Sequence, residues 1–152
     1  MPWPVTLDLP TPEDVERLGA AIAPVLRVGD VVALHGPLGA GKTTLTRGLI
    51  RTLTSPDEEV PSPTFTLVQS YDGAGVTVAH FDLYRLKRPD EAEEIGLWEA
   101  LQDGAAVIEW PARLEGSLPT DRLDVEIAFS PSGGRTVRLT GRGSWSSRDV
   151  GY

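Results

Sequence analysis

The segment GPLGAGKTT, residues 36–44, constrains the fold of this chain more than any other feature. Its pattern Gly-x-x-x-x-Gly-Lys-Thr has the spacing of a phosphate-binding P-loop. The apolar run DVVALHG (30–36) precedes the loop, and GKTTLTRGLIRTL (41–53), with leucines four residues apart, follows it. These runs predict a buried strand and a helix. A strand, a glycine loop and a helix in this order predict an α/β P-loop domain.

The P-loop itself predicts which atoms meet a bound nucleotide. Its glycines let successive backbone N–H groups turn toward phosphates, and the helix N-terminus adds positive potential. Lys42 is predicted to reach the β- and γ-phosphates, and the Thr43 hydroxyl to hold Mg²⁺. The chain has only two lysines, Lys42 and Lys87. The predicted nucleotide-binding residues of the loop are Gly36, Pro37, Leu38, Gly39, Ala40, Gly41, Lys42, Thr43 and Thr44.

The rest of the chain predicts a mixed parallel and antiparallel sheet flanked by helices. Strands are predicted over 3–8 and 104–110, hairpins over 64–71 with 75–86 and 124–130 with 135–141, and helices over about 12–25 and 88–101, the latter broken near Gly96. Thr11 is the predicted N-cap of the first helix. We therefore expect one P-loop NTPase domain over 1–141. The tail 142–152 is expected to be loosely held, with Trp145 the candidate to pack.

Composition limits the possible functions. The absence of cysteine excludes disulfides and thiolate chemistry, and the absence of asparagine excludes the Asn-Lys-x-Asp guanine-reading motif. A net charge of −8 argues against direct binding of nucleic acid, which needs a basic face. No apolar run approaches the roughly 20 residues that span a bilayer. The segment MPWPVTLDLP lacks the pattern of a secretion signal, so a cytoplasmic location is expected.

Two acids are candidates for the partner of the P-loop. Glu109 ends the apolar run 105–108, where the second acid of a P-loop protein usually lies, and ligands bind at such strand ends. Asp82 shares a predicted strand face with His80 and Tyr84. One acid suffices for Mg²⁺, and two suggest that metal binding and water orientation are divided. A solvated carboxylate at the strand end is the alternative for each.

The loop PSPTFTLV, residues 61–68, presents the hydroxyls of Ser62, Thr64 and Thr66. Such hydroxyls can complete a Mg²⁺–phosphate site and become ordered when nucleotide binds. The same segment is equally compatible with a plain turn before a strand.

Five further residues are weaker candidates. Trp110 either stacks on a base or fills the core, and Arg135, at a hairpin tip, is a candidate to reach the nucleotide. His35 is interpreted as packed rather than catalytic. Tyr84 and Arg85 are candidates to dock a partner or the C-terminal region, and the alternative is that Arg85 is simply exposed to solvent.

Five segments together resemble the bacterial TsaE (YjeE) family, the ATPase of tRNA threonylcarbamoyladenosine (t6A) biosynthesis. They are GPLGAGKTTLTRGL, SPTFTLVQSY, HFDLYRL, EEIGLWE and IEWP, and the resemblance extends from about residue 9 to 140. The chain departs from the common GDLGAGKT in having Pro37.

The resemblance implies a role for each site residue. Gly36 through Thr44 would bind ATP, Thr43 and Glu109 would hold Mg²⁺, and Asp82 would be the other essential acid. Thr64 would be the switch residue. Thr11 and Arg135, near the ends of the resemblance, would lie near the nucleotide, with Trp110 and Lys42 also in the site.

The resemblance also implies partners. The family acts with TsaD and TsaB in the t6A37 modification of tRNAs that read ANN codons, and it resets the TsaB–TsaD complex through ATP hydrolysis. The partners would handle the tRNA. We expect slow turnover by the chain alone, because no arginine is obvious beside the site. The alternatives are a small-molecule kinase, for which the chain leaves little room, and a nucleotide sensor that signals by loop ordering.

Overall fold

The computed structural model describes residues 1–152. The apolar runs 31–34 and 105–108 form central strands that are buried on both faces. In chain order the strands are β1 (Val5–Leu9), β2 (Val31–His35), β3 (Val68–Asp72), β4 (Thr77–Asp82), β5 (Gly104–Glu109), β6 (Arg122–Phe129) and β7 (Arg135–Arg142). The helices are α1 (Pro12–Ile22), α2 (Lys42–Leu53), α3 (Glu91–Glu94) and α4 (Leu97–Asp103), with single 3-10 turns at Ala23–Val25, Pro111–Leu114 and Gly143–Ser147.

All seven strands form one sheet in the order β1-β7-β6-β2-β5-β4-β3. The strands β6, β2, β5 and β4 are parallel to one another, whereas β3, β7 and β1 pair antiparallel at the two sides. This confirms the predicted mixed sheet. Four parallel strands therefore end at the same edge, which is the edge where α/β proteins bind ligands.

Helices α1 and α2 cover one face of the sheet and enclose the larger core. Leu18 and Ile22 of α1 and Leu45 and Leu49 of α2 are fully buried there. The two helices approach closely at Gly19, where a Cβ would collide with the backbone of α2. On the opposite face a smaller core lies beneath α3, α4 and the turn Pro111–Leu114. No helix is both long and apolar enough to cross a bilayer.

The structure corrects several predicted element ends. Helix α1 stops at Ile22, and the chain continues as a 3-10 turn containing Pro24, which has no N–H to donate to a longer helix. Residues 64–67 form a turn rather than a strand, with Leu67 at φ 70° and its N–H donating to the Pro63 carbonyl. Strand β4 ends at Asp82, not at residue 86. The predicted break at Gly96 is confirmed, at φ 84°.

The prediction that Trp145 packs is confirmed, whereas the prediction that the tail around it is loosely held is wrong at Arg148. Trp145 is fully buried, and its carbonyl accepts a hydrogen bond of 3.1 Å from the Trp3 indole N–H. Arg148 forms a buried ion pair with Asp30, at 2.5 and 3.0 Å. The tail therefore closes the far end of the larger core.

Candidate functional site

The carboxyl ends of β2, β4 and β5 bring the predicted site residues together. The P-loop follows β2 directly, and Asp82 and Glu109 are register partners at the ends of the adjacent strands β4 and β5. Leu34, just before the loop, pairs with Glu109 on the other side of β5. Strand pairing alone thus places both acids beside the loop.

Glycines shape the P-loop at its two ends. Gly36 has φ 156°, and a Cβ there would lie 2.6 Å from the Ile127 carbonyl oxygen, so the tight turn out of β2 requires glycine. Gly41 has φ 114°, in the left-handed region, and immediately precedes α2. The loop therefore ends at a helix N-terminus, where backbone N–H groups and the helix dipole favour an anion.

The Lys42 ammonium lies across the P-loop. It donates to the Gly36 carbonyl at 2.6 Å and to the Pro37 carbonyl at 3.0 Å, and it lies 3.9 Å from the centroid of the Trp110 ring. Burial lowers the pKa of Lys42, and the negative charges of Glu109 and then Asp82 oppose that shift. The result is one partly desolvated cation facing two carboxylates.

Glu109 is held by buried groups in regular secondary structure. Its Oε2 accepts from the Thr43 hydroxyl at 3.0 Å and lies 2.6 Å from His80 Nε2. Thr43 belongs to the first turn of α2, and His80 is a fully buried residue of β4. The carboxylate is thereby fixed beside the P-loop.

Asp82 is held by the loop 61–67. Its Oδ2 accepts from the hydroxyls of Ser62, at 3.2 Å, and Thr64, at 3.0 Å, and its Oδ1 accepts from the Tyr84 N–H at 3.0 Å. The side chain of Thr66 is exposed and makes no hydrogen bond. Two of the three loop hydroxyls therefore reach the site.

These groups surround a cavity of about 420 Å³. It is lined by Leu38, Gly39, Gly41, Lys42, Thr43, Thr44, Ser62, Thr64, Asp82, Tyr84, Glu109 and Trp110. Lys42 is its only cationic side chain. Hydroxyl and carboxylate oxygens from Thr43, Glu109 and Asp82 converge on the same space, and such hard oxygens are the ligands that Mg²⁺ prefers. The donor set therefore fits phosphates together with Mg²⁺.

A second cavity, of about 280 Å³, lies on the other side of the P-loop and shares Gly39, Gly41 and Thr44 with the first. Thr11 and Arg135 both line it. Arg135 donates to the carbonyls of Ala40, at 2.8 Å, and Gly39, at 3.2 Å, and so supports the loop from outside. The two cavities together run along both sides of the loop.

Trp110 lies in the first cavity, away from Thr11 and Arg135. Besides Lys42 it contacts Tyr84, with ring centroids 4.9 Å apart. Its backbone is left-handed, at φ 61°, which costs energy for a bulky residue and is typical of functional sites. Trp110 therefore packs partly against the smaller core and also lines the first cavity beside Lys42.

A comparison with known protein families decides the identity of this P-loop domain. The family model for "Threonylcarbamoyl adenosine biosynthesis protein TsaE" matches residues 9–137. The chain belongs to the TsaE family. The curated relatives are named as tRNA threonylcarbamoyladenosine biosynthesis proteins, so TsaE proteins take part in making t6A in tRNA.

Individual relatives match over most of their length. The TsaE of Streptomyces coelicolor is 40% identical over 90% of this chain and 97% of its own length. The TsaE of Rickettsia bellii is 36% identical over 84% of this chain and 89% of its own. The crystal structure of YdiB from Bacillus subtilis superposes with a TM-score of 0.78 at 29% identity, covering 93% of this chain and 87% of that one. The P-loop NTPase fold is thus shared with TsaE proteins.

In this member of the TsaE family, three exposed aromatic residues line the two cavities or adjoin residues that line them. Phe65, Tyr84 and Phe129 are each exposed, and an arginine lies over each ring: Arg85, Arg113 and Arg135 respectively. Leu38, at the tip of the P-loop, is exposed as well. Aromatic and arginine side chains are enriched at protein interfaces.

Two histidines have different environments. His35, interpreted as packed, lies 3.1 Å from Asp124 and contacts neither acid of the site. The role of His80 was missed from the sequence, although the strand alternation did place it on the face of Asp82. Its bond to Glu109 depends on the pairing of β4 with β5, which no local pattern specifies.

Proposed function

We propose that this protein is a Mg²⁺-dependent ATPase required for the t6A modification of tRNA, and that its hydrolysis of ATP resets a TsaB–TsaD complex. The observation that carries the proposal is the convergence of Lys42, Thr43, Asp82 and Glu109 on one cavity beside the P-loop. Phosphoryl transfer depends mainly on positioning and charge stabilisation, towards which these four residues and a bound Mg²⁺ would contribute.

Phosphate binding is assigned to the P-loop and Lys42. The backbone N–H groups before α2 would face the phosphates, while Lys42 would exchange its bonds to the Gly36 and Pro37 carbonyls for phosphate oxygens. ATP would extend along the loop toward the cavity that contains Thr11 and Arg135.

The two acids are assigned different tasks. Thr43 and Glu109 would hold Mg²⁺, which supplies charge neutralisation at the phosphate oxygens when bound. Asp82 would accept a hydrogen bond from the attacking water and orient it toward the γ-phosphorus. The water oxygen forms the new P–O bond while the bond to ADP breaks, and the water proton leaves toward Asp82 or a phosphate oxygen.

Partner dependence is proposed because the cavity has little positive charge. In P-loop enzymes an added arginine often stabilises the transition state and accelerates turnover by several orders of magnitude. Here no arginine lines the first cavity, and Arg85 and Arg113 lie over the exposed rings of Phe65 and Tyr84 instead. TsaB and TsaD would dock at the surface formed by these two exposed rings and their arginines. They would also bind the tRNA, since this chain has a net charge of −8.

The test is ATP hydrolysis by the purified protein, alone and with TsaB and TsaD, for wild type, Lys42→Ala and Lys87→Ala. Lys87 is exposed and lies outside the site, so it provides a matched control. We expect hydrolysis that TsaB and TsaD stimulate, a loss of order 10²-fold or more in Lys42→Ala, and no change in Lys87→Ala. Tight ATP binding without stimulated hydrolysis would instead indicate a nucleotide sensor, and phosphoryl transfer to a metabolite would indicate a kinase.

A further inference from the structure

His80 is a buried polar residue in an otherwise apolar part of β4. It is fully buried, between Ala79 and Phe81, which belong to the core of the opposite face. Its Nε2 lies 2.6 Å from Glu109 Oε2. Glu109 belongs to the proposed Mg²⁺ site, whereas His80 itself does not line the cavity.

That contact is the only hydrogen bond of the imidazole ring. Nδ1 is buried and has no partner. A carboxylate oxygen accepts hydrogen bonds and does not donate, so Nε2 carries the proton. An apolar side chain would fill the same space without leaving a buried nitrogen unpaired, which is costly because buried polar groups are nearly always hydrogen-bonded. The hydrogen bond to Glu109 is therefore what this side chain provides.

The same bond determines which carboxylate oxygen faces the cavity. Oε2 accepts from both His80 and Thr43, whereas Oε1 has no hydrogen bond within the protein. Oε1 is also not among the buried atoms without partners, so it reaches the surface of the cavity that Glu109 lines.

We infer that His80 is a positioning residue, which holds Glu109 Oε2 so that Oε1 faces the metal position. The inference rests on the proposed function, in which Glu109 holds Mg²⁺. Groups that orient a metal ligand in this way typically contribute 10- to 100-fold to metal affinity.

Two substitutions of similar polarity test the inference. In His80→Gln the amide nitrogen can lie near the position of Nε2, whereas in His80→Asn the shorter side chain brings it only to the position of Nδ1. Both place an amide in the same buried space, so thermal unfolding of each controls for a general loss of stability. The readout is ATP affinity measured by calorimetry over a Mg²⁺ titration, and again without Mg²⁺.

We expect His80→Asn to raise the Mg²⁺ concentration at the midpoint of the titration about 10- to 100-fold, because its affinity for the metal is lower. In His80→Gln the midpoint should stay within about threefold of wild type. Without Mg²⁺, all three proteins should bind ATP equally. Equal Mg²⁺ affinity in His80→Asn and wild type would overturn the inference, and so would equal weakening in both variants. ATP binding by wild type that is independent of Mg²⁺ would overturn the proposed function itself.

A measurement on the unsubstituted protein keeps the inference testable if His80→Asn does not fold. Nitrogen-15 NMR of the imidazole distinguishes which ring nitrogen carries the proton. We expect a proton on Nε2 that exchanges slowly with solvent. A proton on Nδ1 alone would overturn the assignment.

Discussion

Asp82 and Glu109 are register partners on adjacent parallel strands, yet different kinds of structure hold them. Glu109 is bonded to Thr43 in α2 and to His80 in β4, both in regular elements of the core. Asp82 is bonded to Ser62 and Thr64, in a loop with neither helix nor strand. Two identical functional groups, side by side, therefore differ in how firmly the fold fixes them.

The difference agrees with the proposed division of tasks between the two acids. A metal ligand needs a fixed position, which the surroundings of Glu109 supply. The loop that holds Asp82 has the highly exposed Phe65 at its tip, with Arg85 over the ring. Phe65 is the chain neighbour of Thr64, so we propose that a partner that binds Phe65 would move the two hydroxyls that hold Asp82. Glu109 thus belongs to the fixed part of the site, and we assign Asp82 to a part that a ligand or partner would adjust.

Glu109→Gln should have the largest effect, because it removes the charge from the fixed acid while keeping the shape. We expect hydrolysis to fall on the order of 10³-fold and the Mg²⁺ dependence of ATP affinity to disappear. Stimulated hydrolysis and calorimetry measure the two effects. The control is Glu126→Gln, at an exposed glutamate of β6, which should change neither. Retained Mg²⁺ dependence in Glu109→Gln would assign the metal to Asp82 instead.

Asp82→Asn should separate the two acids. It removes the group proposed to orient water but leaves Glu109 and Thr43 in place. We expect hydrolysis to fall about 10²-fold while the Mg²⁺-dependent ATP affinity stays within about threefold of wild type. The measurements are the same as for Glu109→Gln. If both variants lose Mg²⁺ dependence equally, the two carboxylates share one task and the distinction between them fails.

Thr64→Val should have a smaller effect, because it removes one of the hydrogen bonds to Asp82 and keeps a β-branched side chain. Hydrogen bonds to charged groups contribute about 1.5–3 kcal/mol. Since Ser62 and the Tyr84 N–H still hold Asp82 in this variant, we expect the lower end of that range, a fall in hydrolysis of about 10-fold. Thr66→Val is the matched control, since Thr66 lies two residues further along the same loop and its side chain makes no hydrogen bond. Equal losses in the two variants would mean that the loop acts through its backbone and not through Asp82.

Much of the fixed part could be predicted from the sequence. The P-loop is a local pattern, and the apolar runs before and after it specify a strand and a helix. Glu109 follows a run of four apolar residues, and so its position at a strand end is also local information. The mixed sheet followed from two hairpins whose strands are close in the chain.

The adjustable part and the tail could not be predicted in the same way. Residues 64–67 alternate as a strand would, but Leu67 takes up a left-handed conformation that the pattern does not show. The bond between His80 and Glu109 spans 29 residues, and the Arg148–Asp30 ion pair spans 118. Contacts of this kind depend on the completed topology, so their residues look like ordinary polar positions in the sequence.

The pH dependence of ATP binding should show the smallest difference between the acids. Burial lowers the pKa of Lys42, and Glu109, followed by Asp82, raises it in part. Protonated Lys42 attracts phosphate, so ATP affinity without Mg²⁺ should fall as pH rises through this pKa, and at a lower pH than for an ordinary lysine. Neutralising either acid removes a contribution that raises the pKa. The fall in ATP affinity should therefore move to lower pH in both variants, and further in Glu109→Gln than in Asp82→Asn.

Calorimetric titrations across alkaline pH measure the midpoints, with Lys42→Arg as a control that stays charged. A larger displacement in Asp82→Asn would mean that Asp82 lies closer than Glu109 to the Lys42 ammonium in solution. Asp82, and not Glu109, would then be the acid that raises the pKa of Lys42 more.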